Sequence, residues 1–409
     1  MEYRTNVSDR SQKMEAHFRA LLENPNDYFR YSQEVEKNKI SVEGETKINF
    51  GSCSYLGLEQ DPRLKIGAMT ALDKFGTQFS SSRAFMSIDL YRELHELYKK
   101  IFGSEHIVLA PTTTLAHMSA IPVIVDDHDL VIADSRAHNS MQMSLDLLAK
   151  RNVPRLTVEH NNVDALENIL QEQQHRFRKI WYFADGIYSM SGNVAPVGPL
   201  EDLKNRYKNL HFYFDDAHGM TWYGHLGRGY VLDRLKNKER VIVAVSHAKC
   251  FGTAGGTLVF SDENDASMVR VMGGPMIFGG PIQPPILGAS IACAKIHLTK
   301  ELITRQSELK NLIQYTNRIF KEYELPMVSD DPTPIRYVRV GSDHEVIRVH
   351  RALLSKGFYT NPCVSPAVAW GDEGIRFTVT SFHNKEHIQQ LAEALKDELS
   401  GRSTHGLSN

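Results

Sequence analysis

The segment AVSHAKCFGTAGG at 244–256 puts Lys249 directly after an apolar run and beside small residues and glycines. Desolvation there would lower the lysine pKa from about 10.4 and free the amine for Schiff-base chemistry, whereas a solvated lysine at a strand end is the plainer reading of the same letters. A second segment, HFYFDDAHGMTWYGHLGRG at 211–229, ends an aromatic strand in Asp215, Asp216 and His218 and runs on into a glycine-rich loop. A carboxylate at the end of a central strand is costly to bury unless it meets a cation. A protonated pyridine nitrogen would be such a cation; helix N-termini or Arg228 would satisfy the acids structurally. The same cluster, with His211, also permits a metal site, although no second ligand group of recognisable spacing accompanies it.

Two weaker signals lie elsewhere. In APTTTLAH at 110–117, a strand is followed by three threonines that open a helix, an arrangement suited to binding phosphate and equally to capping. DSRAHNS at 134–140 and DGIYSMSG at 185–192 place His138 and Ser189 just past strands, where turn residues are also common. All four features fall at strand ends, where an open α/β sheet collects its ligands.

The elements that must position them follow from periodicity. Apolar runs at 107–110, 130–133, 180–184, 211–214, 241–245 and 257–260 alternate with helical patterns such as Leu90, Leu94, Leu97 and Tyr98. Such alternation predicts βα units on a mostly parallel sheet covered on both faces. One long helical stretch is expected from Pro284 and Pro285 to about Tyr323. Beyond it, strands at 335–340 and 375–380 and helices near 343–355 and 385–399 predict a smaller α+β domain. The expected division is an N-terminal arm and part of the small domain at 1–50, a large domain at 51–300 and a C-terminal small domain at 301–409.

Composition excludes several classes. The 409 residues carry 47 Lys+Arg against 49 Asp+Glu, a formal charge of −2, which gives no bulk electrostatic footprint for nucleic acid or an anionic membrane. With 42% hydrophobic residues the chain is neither disordered nor a coiled coil. The charged N-terminal stretch lacks the apolar core of a signal peptide, and apolar runs such as Ile121 to Val125 are too short to span a bilayer, so a cytoplasmic location is expected. Four widely spaced cysteines (Cys53, Cys250, Cys293, Cys363) predict neither a disulfide framework nor a thiolate zinc site.

Taken in order, these segments resemble the α-oxoamine synthases, fold-type I pyridoxal-phosphate enzymes that include 8-amino-7-oxononanoate synthase, glycine C-acetyltransferase and serine palmitoyltransferase. The resemblance covers residues 45–385 and rests on SYLGL at 54–58, AHNS at 137–140, DGIYSMSGNVAPV at 185–197, DDAHGMTWYGHLGRG at 215–229 and SHAKCFGTAGG at 246–256. It implies a fold-type I α/β architecture and pyridoxal 5'-phosphate as cofactor. By the same resemblance, Lys249 would carry the cofactor as a Schiff base and later move protons at the substrate α-carbon. Asp215 would pair with the pyridinium nitrogen, making the ring an electron sink. His218 and Ser189 would bond its phenolic oxygen, and His138 would stack on its face and assist proton transfer. Ser246, Thr113 and Thr114 would hold its phosphate. Arg376 would grip the substrate carboxylate, a task suited to a bidentate guanidinium. The implied reaction joins an amino acid to an acyl thioester, with loss of thiol and carbon dioxide, to give an α-amino ketone.

Departures from the family pattern bear on substrate and partners. Ser54 replaces the usual asparagine near the amino-acid carboxylate, FGTQFSSSRAFMS at 75–87 replaces the glycine-rich segment, and Gly279–Gly280 replaces a Ser/Thr pair. These changes favour serine or a sulfonated analogue such as cysteate, with a fatty-acyl thioester on coenzyme A or acyl-carrier protein. The resemblance also implies a homodimer. An aminotransferase or aldolase on the same fold, and a metal-dependent hydrolase built on Asp215, Asp216 and His218, stand as alternatives.

Overall fold

The computed structural model describes residues 30–365 and 367–400. The chain divides into two compact units, one running through Ser52 and resuming at Leu312, the other spanning Cys53–Asn311. Among the described residues the first unit carries three short antiparallel strands before Ser52, β1 (Ser32–Glu36), β2 (Lys39–Val42) and β3 (Glu45–Asn49).

The Cys53–Asn311 unit is built on seven strands: β4 (Ile107–Ala110), β5 (Leu130–Asp134), β6 (Arg155–Val158), β7 (Ile180–Asp185), β8 (Leu210–Asp215), β9 (Val241–Ser246) and β10 (Gly256–Val259). Their order is β4-β10-β9-β8-β7-β5-β6, with β10 alone antiparallel to its neighbours. Every strand except β6 is buried almost throughout, as expected of a sheet covered on both faces. The common direction of six strands brings Ala110, Asp134, Asp185, Asp215 and Ser246 to one edge of the sheet. The outer edge of β4 is closed by cations, since Arg83 Nη1 donates to Leu109 O at 3.3 Å and Arg270 Nη2 to Ile107 O at 3.4 Å.

The helix Thr113–Ile124 lies on this sheet, and its Ala116, Ala120 and Ile121 share a core with Val131, Phe183 and Tyr213. The stretch expected as one helix to Tyr323 is two, Pro284–His297 and Lys300–Glu322. The break falls at Leu298–Thr299, where the Thr299 hydroxyl donates to Ile296 O at 2.7 Å and competes with the helical backbone. The two pieces also differ in character: Pro284–His297 is buried almost all round, whereas Lys300–Glu322 alternates buried and exposed positions.

The remaining strands belong to the first unit: β11 (Ile335–Gly341), β12 (Phe358–Tyr359), β13 (Asn361–Cys363) and β14 (Glu373–Thr378). β12 adds to β3 in parallel, and β11, β14 and β13 form a separate antiparallel sheet with β14 central. Helices Asp343–Ser355 and Lys385–Ser400 accompany this sheet in sequence. Thr378 ties β14 to the start of the chain, its N donating to Phe50 O at 2.7 Å and its Oγ1 to Ser52 O at 2.6 Å. Among the described residues no helix is long and apolar enough to cross a membrane.

Candidate active site

Asp215 is the last residue of β8, and Asp185, the last of β7, is its register partner. Both are buried, and two carboxylates so placed cannot both ionise cheaply. Their surroundings decide which does. Asp215 Oδ1 accepts from Ala217 N at 2.9 Å and Oδ2 from His117 Nε2 at 2.9 Å. Burial alone would push its pKa up, but the His117 bond and the nearby charge of Lys249 outweigh burial and hold it well below the usual carboxylate range. Burial and the charge of Asp215 instead hold Asp185 well above that range. Asp185 therefore serves as a neutral acceptor, its Oδ1 taking the His138 backbone N–H at 2.9 Å.

That bond fixes His138 at the N-cap of the helix Asn139–Asp146, where its Nδ1 lies 2.7 Å from Ser140 Oγ. Burial lowers the pKa of His138, and the Asp215 carboxylate opposes that shift. Lys249 stands three residues past β9, partly buried, in a turn closed by Gly252 N donating to Lys249 O at 2.9 Å. Ser246, at the end of β9, is buried and accepts from Ala248 N at 3.3 Å. His218 follows β8; its Nδ1 is 2.7 Å from Tyr55 OH, and its carbonyl accepts from Trp222 Nε1 at 2.6 Å. Ser189 is half-buried in the turn after β7, and Ser54 donates to Glu59.

After β4, Thr112 caps the helix by accepting from Leu115 N at 3.1 Å, leaving Thr113 and Thr114 as its first two residues. Thr113 Oγ1 reaches Val245 O on β9 at 3.4 Å. Gly256 makes this approach possible, because a Cβ there would lie 2.8 Å from both N and Cα of Thr113. Lys249, Asp215, His138, His218, Ser189, Ser246, Thr113, Thr114 and Ser54 all belong to the Cys53–Asn311 unit. Arg376 belongs to the other unit, buried in central β14 opposite Tyr337 and Asn361.

Residues 45–395 match the family model described as aminotransferase class I and II. A serine palmitoyltransferase of Bacteriovorax stolpii is 29% identical over 93% of this chain and 89% of its own length. An 8-amino-7-oxononanoate synthase of Alkaliphilus metalliredigens is 26% identical over 92% and 91%. The chain belongs to the class I and II aminotransferase family, in its α-oxoamine synthase branch. It is accordingly a pyridoxal-phosphate-dependent acyltransferase. The fold has a counterpart in a solved structure described as SPT with PLP, at TM-score 0.87 and 20% identity over 98% of this chain and 99% of that one.

The α-oxoamine synthase site fits that cofactor on structural grounds of its own. A buried anion at the end of a central strand, a lysine on the next strand's loop and a helix N-terminus drawn against Gly256 offer a counter-charge, an amine and a phosphate cradle on one sheet edge. The metal alternative loses its cluster: Asp216 turns away to accept from Val231 N at 2.9 Å, and His211 sits at the opposite end of β8 against Asn209 O at 2.9 Å. Two site-forming residues escape sequence reasoning. His117 stands inside the quoted APTTTLAH and Tyr55 inside SYLGL, yet neither carried a chemical signal. A histidine among the apolar residues of a helix that ends on Ala120, Ile121, Val123 and Ile124 was the available clue to His117.

Proposed function

We propose that this α-oxoamine synthase condenses serine with a long-chain acyl thioester, releasing carbon dioxide and an α-amino ketone. The observation that carries the reaction class is the buried, hydrogen-bonded Asp215 anion beside the Lys249 loop. When bound, pyridoxal phosphate supplies a protonated ring that takes up the electron pair left at the amino acid's α-carbon. Asp215 would face the ring nitrogen and favour its proton, Lys249 would hold the aldehyde carbon and carry protons at the α-carbon, and the helix opened by Thr113 and Thr114, with Ser246, would receive the phosphate. His138, held by Asp185, would cover the ring face; His218, oriented by Tyr55, and Ser189 would bond its phenolic oxygen. Arg376 is assigned to the substrate carboxylate.

Serine as amino acid is supported by the Bacteriovorax relative and by Ser54 and Phe85–Met86, which replace the residues usual in the biotin enzymes. Cysteate is the second candidate from the same replacements. All four cysteines are free, which supports a reducing, cytoplasmic location.

The test is turnover on an amino-acid panel with acyl-coenzyme A and acyl-carrier-protein donors, followed as carbon dioxide release. Serine with a long acyl chain should give the highest kcat/KM, and Lys249→Ala should abolish the acyl-dependent release. A higher kcat/KM on glycine or alanine would overturn the substrate assignment. Transamination without acyl donor as the main reaction would overturn the reaction.

A further inference from the structure

Asp215 has a line of contacts behind it that the reaction does not consume. His117, the fifth residue of the helix Thr113–Ile124, has no solvent exposure; its Nε2 is 2.9 Å from Asp215 Oδ2 and its Nδ1 is 2.8 Å from Tyr213 OH. Tyr213 and Asp215 are two residues apart on β8, so their side chains leave the same face of the sheet and a single imidazole packed on that face meets both. Tyr213 is itself fully buried and lies within the core beneath the helix.

The order of protons follows from the partners. Burial and the neighbouring Asp215 charge hold the Tyr213 phenol well above its ordinary range, so it keeps its proton and has that proton to give. With that O–H directed at Nδ1, Nδ1 accepts and Nε2–H donates to Asp215. The tautomer is thus assigned from the network, Tyr213 O–H to Nδ1 and Nε2–H to Oδ2.

We infer that His117, with its tautomer set by Tyr213, is a positioning residue that orients the Asp215 carboxylate toward the ring nitrogen of the cofactor. This rests on the proposed function's pairing of Asp215 with that nitrogen. The neutral donor matters. An arginine or lysine at the same place would also orient the carboxylate, but would cancel its charge and repel a pyridinium. An imidazole N–H satisfies one lone pair and leaves the full negative charge facing the ring. Ala217 N occupies the other oxygen from the loop side, so the carboxylate is held at both oxygens.

Three variants separate orientation from packing. His117→Phe keeps an aromatic ring without a donor, His117→Gln keeps an N–H at the reach of Nε2, and Tyr213→Phe removes only the proton that sets the tautomer. The readout is the nitrogen-15 shift of the ring in labelled pyridoxal phosphate bound to each protein, with the cofactor dissociation constant beside it. Wild type should show a protonated ring nitrogen. His117→Phe should move that signal toward neutral pyridine and weaken cofactor binding by roughly ten- to a hundredfold, the usual worth of a bond to a charged group. His117→Gln should restore most of both, and Tyr213→Phe should fall between. An unchanged ring-nitrogen shift in folded His117→Phe overturns the inference, as does an unchanged shift in Tyr213→Phe if the phenylalanine variant does not fold. In the protein without cofactor, nitrogen-15 spectra of His117 should show the Nε2–H tautomer; the Nδ1–H tautomer overturns the relay. Failure of wild type to take up pyridoxal phosphate would instead sink the proposed function, leaving the tautomer measurement to judge the relay alone.

Discussion

Asp215 and Asp216 are adjacent in sequence and opposite in chemistry. Asp215 meets His117 and the Ala217 N–H and is held ionised. Asp216 turns to the other side, where Oδ2 accepts from Val231 N at 2.9 Å and a Cβ at Gly186, Gly219 or Gly229 would collide with its carboxyl group. Burial, reinforced by the Asp215 charge, pushes its pKa well above the usual carboxylate range. The linkage has a definite sign. Because the folded pKa lies above the unfolded one, Asp216 costs nothing below the unfolded pKa of about 3.9, and stability is lost as pH rises from there toward the folded value. An amide escapes that cost. Asp216→Asn should therefore match wild type near pH 3 and exceed it at pH 8 by more than about 1 kcal/mol in urea unfolding. A stability gap that does not change with pH would refute a neutral Asp216.

At the scale of elements, the proposed phosphate cradle depends on the meeting of β10 with the helix Thr113–Ile124. The strand can come so close only because Gly256 has no side chain to meet Thr113. Gly256→Ala should push the helix N-terminus off the strand, weakening retention of pyridoxal phosphate about tenfold, while the visible spectrum of the remaining bound cofactor stays that of wild type. Equal cofactor affinity in the two proteins would rule the cradle out. The elements themselves were mostly legible in sequence. Six apolar runs named six of the seven strands, because strands buried on both faces read as continuous apolar letters. β6 was not legible: RLTV is mostly exposed at the sheet edge and carries no such run. The helix break at Leu298–Thr299 was hidden as well, since a hydroxyl competing for one carbonyl leaves the apolar periodicity intact. At the site, residues in ordered motifs could be named from the letters, whereas His117 and Tyr55 act through contacts that only the packing of distant segments creates.

For the molecule as a whole, the informative surface is apolar. Phe85 is 88% exposed and Phe278 87%, and Met86, Val271 and Met272 are exposed with them. Two of these segments are physically joined, because Ser82 Oγ donates to Ile277 O at 2.7 Å. Isolated apolar residues on a surface are ordinary, but phenylalanines almost wholly in water on two tethered segments mark a face that another surface covers. The segment also carries Gly279 and Gly280 and lies against the helix that opens with Thr113, since a Cβ on Gly279 would sit 3.5 Å from Leu115 Cδ1. The homodimer that the family resemblance implies would cover this face with a second copy of the chain. Light scattering should give twice the 46.3 kDa chain mass for wild type. Phe278→Glu, and more strongly Phe85→Glu with Phe278→Glu, should shift the mass toward one chain by placing like charges in a self-complementary contact. Thermal unfolding of the separated chains should lose its dependence on protein concentration, which wild type should show. A wild-type mass of one chain would refute the assembly; a double variant that keeps the doubled mass would move the interface to another face.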